Sequence, residues 1–66
     1  MEVQVNGEWR AFSDGATVAE VMKALEAPDR GVAVALDGEV VRRGDWPGRV
    51  VPAGARMEIL TAVQGG

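Results

Sequence analysis

Val3 and Val5 alternate with Glu2 and Gln4, the period of a strand with one buried face. Asn6-Gly7 follows, and both residue types accept the positive φ that a type I′ hairpin turn requires. Glu8 to Phe12 then reads as the returning strand, carrying the bulky Trp9 and Phe12. After Ser13-Asp14-Gly15-Ala16 the period lengthens. Val18, Val21, Met22 and Leu25 stand at i, i+3, i+4 and i+7, one face of an amphipathic helix. Thr17, with Glu20 three residues on, supplies the capping-box signature of a helix start. Pro28 disfavours helical geometry at Ala27, so Pro28-Asp29-Arg30-Gly31 is expected to stop the helix.

A third strand is expected from Val32 to Leu36, where Val32, Val34 and Leu36 alternate with Ala33 and Ala35. Asp37-Gly38 is a second hairpin turn, leading into a short strand from Glu39 to Val41. Arg42 to Gly54 reads as irregular, with Trp46 plugging the core beneath it, and Met57 to Val63 reads as the last strand. The pattern predicts β-β-α-β-β-β within one domain over residues 1–63, and a bare tail over 64–66. The expected core is Val3, Val5, Val18, Val21, Met22, Leu25, Val34, Leu36, Met57 and Ile59. One helix covers only one face of a four- to five-stranded sheet, so the other face stays open.

Composition narrows the chemistry. In 66 residues there is neither cysteine nor histidine, which excludes disulfides, Cys/His metal sites and any His- or Cys-based catalytic dyad. Ser13 is the only serine and has no candidate base beside it. The ten acidic residues are spread along the chain and read as solvated surface charge. No catalytic residue and no metal site is therefore assigned, and the chain reads as a non-enzyme. A net charge of −3 argues against nucleic acid as a partner, since phosphate neutralisation needs a basic face. No apolar run approaches the ~20 residues that span a bilayer, so no membrane partner is expected and a cytoplasmic location is.

Three short motifs carry little. Arg43-Gly44-Asp45 spells an adhesion tripeptide by coincidence, and Gly44 to Gly48 lacks the Gly-Lys-Ser/Thr ending of a phosphate loop. Arg42, Arg43, Arg49 and Arg56 read as surface charge, with an acidic partner surface as the sharper alternative. The terminal Gly65-Gly66 is different. A C-terminal carboxylate that reacts in another protein's active site must enter in extended form, and glycine has no side chain to obstruct it. Four residues from Val63 to Gly66 reach roughly 13–14 Å.

These residues together resemble the sulfur carrier family of thiamine biosynthesis, small β-grasp (ubiquitin-like) proteins of the α+β class. The resemblance covers the whole chain. It rests on Val5-Asn6-Gly7-Glu8, Thr17-Val18, Val34 to Val41, Arg43, Trp46, Gly54 and the ending from Glu58 to Gly66. Ala55 departs from the acidic residue that often follows the glycine in that family, a difference that bears on the local turn. The resemblance implies that an ATP-dependent E1-like adenylyltransferase activates the Gly66 carboxylate. Sulfur drawn indirectly from a cysteine desulfurase converts it to a thiocarboxylate, and thiazole synthase receives that sulfur. Gly65 and Gln64 form the tail that enters these enzymes. No cofactor is bound by the carrier itself; ATP is used by the partner. The alternatives are a sulfur carrier for tRNA thiolation or molybdopterin synthesis, and a ubiquitin-like interaction or modifier module.

The same resemblance suggests where partners dock. If Met57 and Ile59 face the helix, period 2 sends Leu60 and Ala62 to the open face. In the β-grasp order the last strand is central and lies beside the third, so Ala33 and Ala35 flank them. Arg56 and Glu58 complete the expected docking face as its charged rim.

Overall fold

The computed structural model describes residues 1–28 and 30–61. Strand β1 (Glu2–Val5) and strand β2 (Glu8–Ala11) form an antiparallel hairpin. At its apex Asn6 and Gly7 take φ of 48° and 86°, the doubly left-handed geometry that an Asn-Gly turn supplies. Helix α1 (Val18–Ala24) follows, then strand β3 (Val32–Leu36) and strand β4 (Glu39–Val41). Strand β5 (Arg56–Thr61) closes the order. The sheet runs β2-β1-β5-β3-β4. Only the β1–β5 pairing is parallel; β5 is central, antiparallel to β3. This is the strand order expected of a β-grasp fold.

Helix α1 starts where the capping-box signature placed it. Glu20 N–H donates to Thr17 Oγ1 at 3.2 Å, and Thr17 N–H donates to Glu20 Oε1 at 2.8 Å. Its end differs from expectation. The helix stops before Pro28, because Glu26 takes φ 55° immediately after the cap residue Leu25. Glu26 N–H bonds the Lys23 carbonyl and Ala27 N–H bonds the Met22 carbonyl, each at 3.0 Å. These are the paired closing bonds of a Schellman motif, formed here without glycine.

Val18, Val21 and Met22 bury their stripe against Val3, Val5, Val34, Leu36 and Met57. Leu25 and Ile59, expected in the core, are only half-buried against it. Leu25 sits at the cap beyond the last helical residue, and Ile59 lies past the point where β1 turns away. Ala16, Val41, Val51 and Ala55 are buried as well. Their burial comes from the segment between β4 and β5, which is less irregular than its sequence suggests. Arg43–Gly48 forms a 3-10 helix packed against α1, and buried Trp46 donates its indole N–H to the Val41 carbonyl at 3.0 Å. The chain is then laced to the start of α1: Val18 N–H bonds the Arg49 carbonyl and Val51 N–H bonds the Ala16 carbonyl, both at 2.8 Å. A turn closes between Ala55 N–H and the Pro52 carbonyl at 3.1 Å, with Gly54 at φ 80°. Ala55 is buried there, where an unpaired carboxylate would be costly.

The last strand begins one residue earlier than expected, at Arg56, and β2 ends at Ala11 rather than Phe12. Arg56 joins β5 because its N–H is held by Asp37 Oδ1 at 2.8 Å, and one-residue differences of this kind are ordinary at element ends. Val63 and the 64–66 tail lie outside the described residues.

Candidate functional site

The face of the sheet opposite α1 is built by strand parity. In an antiparallel pair, residues directly opposite share a face, so the registers place each side chain. Ala33 lies opposite Leu60, and Ala35 lies opposite Glu58 on one side and Val40 on the other. Gln4 lies opposite Trp9 and beside Arg56. Leu60, Ala33, Ala35, Arg56 and Glu58 therefore do share the open face. Ala62, Gln64, Gly65 and Gly66, also expected at the site, lie outside the described residues.

The open face has a polar middle and two apolar regions. Leu60 is 64% exposed and Val40 70% exposed, and the two alanines between them keep the surface low. Leu60, Ala33, Ala35 and Val40 thus form a continuous apolar step across β5, β3 and β4. Arg56 and Glu58 border it on β5, and beyond Gln4 stands Trp9, 57% exposed on the edge strand. Val40 and Trp9 were not among the residues expected on this face from sequence. The signal was available, because a two-residue hairpin loop fixes the pairs Ala35–Val40 and Gln4–Trp9 once its type is known.

Two side chains from the hairpin turns fasten β5. Arg56 N–H donates to Asp37 Oδ1 at 2.8 Å, and Asp37 N–H donates to the Arg56 carbonyl at 2.7 Å. At the other end, Ile59 N–H donates to Asn6 Oδ1 at 2.8 Å, and Asn6 Nδ2 donates to the Ile59 carbonyl at 3.2 Å. The strand that carries Leu60 is thereby held near both ends.

Groups able to do chemistry do not converge among the described residues. No three acidic side chains gather, and no polar or charged residue is buried. A shallow depression beside α1 is lined by Phe12, Ser13, Asp14 and Glu20 among others. Its carboxylates are engaged, Asp14 with the Met1 ammonium at 3.0 Å and Glu20 in the helix cap. Arg49 of the arginine group pairs with Glu39 at 2.8 Å. Arg43 and Asp45 lie in the 3-10 helix, a different conformation from an extended recognition loop. What the open face can do is bind: low apolar relief bordered by charge suits a protein surface of complementary shape.

Comparison with known proteins agrees with this architecture. The model of the ThiS family matches residues 3–66. The chain is 26% identical to the sulfur carrier protein ThiS of Escherichia coli (strain K12) over 66 residues, the full length of both. Among solved structures, it is similar to the crystal structure of the thiamine biosynthesis protein ThiS from Geobacter metallireducens. That match has 30% identity, a TM-score of 0.86 and full coverage of both chains. A solution structure of a thiamine biosynthesis protein from the same organism matches at 32% identity and a TM-score of 0.79. It covers all of this chain and 88% of that one.

Proposed function

The chain belongs to the ThiS family, and from that premise we propose that it carries sulfur for thiazole formation in thiamine biosynthesis on the carboxylate of Gly66. The observation that carries this reading is the family match itself, which spans residues 3–66 and so runs through Gly66. The sulfur-carrier name of a relative aligned over its full length supports it.

The chemistry follows from the weakness of a carboxylate as an electrophile. A carboxylate oxygen of Gly66 attacks the α-phosphorus of ATP in the active site of an adenylyltransferase, and pyrophosphate leaves. The acyl adenylate then holds a good leaving group. A sulfur nucleophile at the oxidation level of sulfide attacks the acyl carbon, and AMP departs with its electron pair, leaving the thiocarboxylate. Thiazole synthase takes the sulfur. In this sequence the partner enzymes supply the catalytic groups, and the carrier supplies an extended end and a surface to hold it by. We assign that surface to Leu60, Ala33 and Ala35, with Arg56 and Glu58 at their border and Val40 extending it; Ala62, two residues beyond Leu60, is expected to belong to it. Gly65 gives the narrow approach to Gly66, and Gln64 completes the tail.

The test is ATP-dependent exchange of labelled pyrophosphate by the cognate adenylyltransferase. The unaltered chain is expected to support exchange, and the chain lacking Gly66 to support none while keeping its circular dichroism spectrum and melting temperature. Sulfur acceptance by the truncated chain, read by mass spectrometry as replacement of oxygen by sulfur, refutes the assignment.

A further inference from the structure

The parallel ladder between β1 and β5 is very short. It pairs Gln4 with Arg56 and Val5 with Met57, and then β1 reverses through Asn6-Gly7. The last ladder bond from the β1 backbone is Asn6 N–H to the Met57 carbonyl at 2.9 Å. Two residues farther along β5, the N–H and carbonyl of Ile59 point to the side that β1 has left. The Asn6 side chain occupies that place, accepting from Ile59 N–H at 2.8 Å and donating to the Ile59 carbonyl at 3.2 Å. A carboxamide presents an N–H donor and a carbonyl acceptor, as a peptide group does. It therefore adds one rung to a ladder whose strand has ended.

We infer that Asn6 is a positioning residue for the reacting tail. Its two-point hold on Ile59 keeps Leu60 and Thr61 in register beside Ala33 and Val32, and so sets the direction in which the chain leaves the sheet. The inference rests on the reading of Gly66 as the reacting end. Gly66 is seven residues beyond Ile59, so a shift of the strand at Ile59 displaces the point from which the reacting end is presented to the enzyme. Reactions of bound groups are sensitive to such displacement, a misplacement of about 1 Å costing up to about a hundredfold in rate. Both Asn6 side-chain bonds are solvent-exposed, which makes their share of global stability small and their effect local.

The competing explanation is that asparagine is present only because the turn needs φ 48°. Two variants separate the roles. Asn6→Gly accepts the turn geometry but has no side chain to hold Ile59. Asn6→Asp tolerates the left-handed region and keeps an acceptor for Ile59 N–H, but an ionised carboxylate has nothing to donate to the carbonyl.

Amide hydrogen exchange of the free proteins and pyrophosphate-exchange kinetics with the cognate adenylyltransferase are measured well below the melting temperature. In Asn6→Gly, exchange at Ile59 is expected to accelerate at least tenfold beyond any change at Val3 and Val34. The kcat for adenylation is expected to fall at least fivefold, a larger factor than any rise in KM, because Ala33, Ala35 and Val40 are untouched and only Leu60 of the apolar step is loosened. Asn6→Asp is expected to fall between the two. A kcat for Asn6→Gly within twofold of the unaltered chain overturns the positioning role, as does unaltered exchange at Ile59. Failure of the unaltered chain to support pyrophosphate exchange overturns the carrier reading itself, and the positioning role falls with it.

Discussion

Asp37 and Arg56 exchange two hydrogen bonds between the second hairpin turn and the start of β5, Arg56 N–H to Asp37 Oδ1 at 2.8 Å and Asp37 N–H to the Arg56 carbonyl at 2.7 Å. Asp37 takes φ 50° to make the turn, so one residue both reverses the β3–β4 hairpin and seats the start of β5. Asp37→Gly keeps the turn geometry and removes only the side-chain acceptor. It is expected to cost about 0.5–1.5 kcal/mol, the net worth of one hydrogen bond. Asp37→Asn keeps both the acceptor and the left-handed tolerance and should cost less. Urea denaturation of the two variants decides; equal losses would remove the acceptor from the account.

Trp46 holds the crossing between β4 and β5 by its buried indole N–H bond to the Val41 carbonyl. Trp46→Phe leaves that carbonyl without its donor in a dry site. A loss of about 1–3 kcal/mol is expected from the unsatisfied group. Chemical denaturation followed by far-ultraviolet circular dichroism measures it, and a neutral substitution would show that the carbonyl finds water.

Glu26 closes helix α1 in the left-handed region, at φ 55°. An L residue with a side chain pays about 1–2 kcal/mol there, whereas glycine adds about 0.4–1 kcal/mol of unfolded-state entropy to be lost on folding. The conformational term is the larger, so Glu26→Gly should stabilise the protein by about 0.5–1 kcal/mol. A raised urea midpoint with unchanged slope is the expected outcome.

Leu36 is 2% exposed, whereas Leu25 is half-buried. Truncating Leu36 to alanine creates a cavity between sheet and helix and should cost about 2–5 kcal/mol. Leu25→Ala should cost distinctly less, because its side chain already meets solvent. Thermal melts of the pair test the burial difference, and equal losses would place Leu25 in the core.

Leu60 and Val40 stand on the open face with little to lose on folding. Leu60→Asp should leave the melting temperature nearly unchanged and weaken binding to the adenylyltransferase at least tenfold, about 1.4 kcal/mol. Val40→Asp should act in the same direction. Calorimetric titration reads both, and full affinity in the two variants would detach this patch from the docking surface.

Much of this protein is determined locally, and that part is legible in the sequence. Period 2 at Val3 and Val5, period 3.6 from Val18 to Leu25, and Asn-Gly and Asp-Gly at the turns each act through bonds and sterics within a few residues. Hairpin register follows from the same local rules, so the positions of Val40 and Trp9 on the open face were legible even though neither was expected there. The end of α1 is a local feature too, but a glutamate in a left-handed cap is a conformation its residue type does not announce. What only the tertiary structure decided involves distant partners. Residues 42–54 carry no period, yet they fold into a 3-10 helix and a turn because Trp46, Val51 and Ala55 find cover under α1 and the sheet, and because Arg49 and Val51 find backbone partners at Ala16 and Val18. Asn6 reads as a turn residue in sequence; its second role depends on Ile59, 53 residues away, arriving on the side that β1 vacates. Local preference specifies which elements form, but a hydrogen bond between groups so far apart in the chain exists only once the sheet has brought them together.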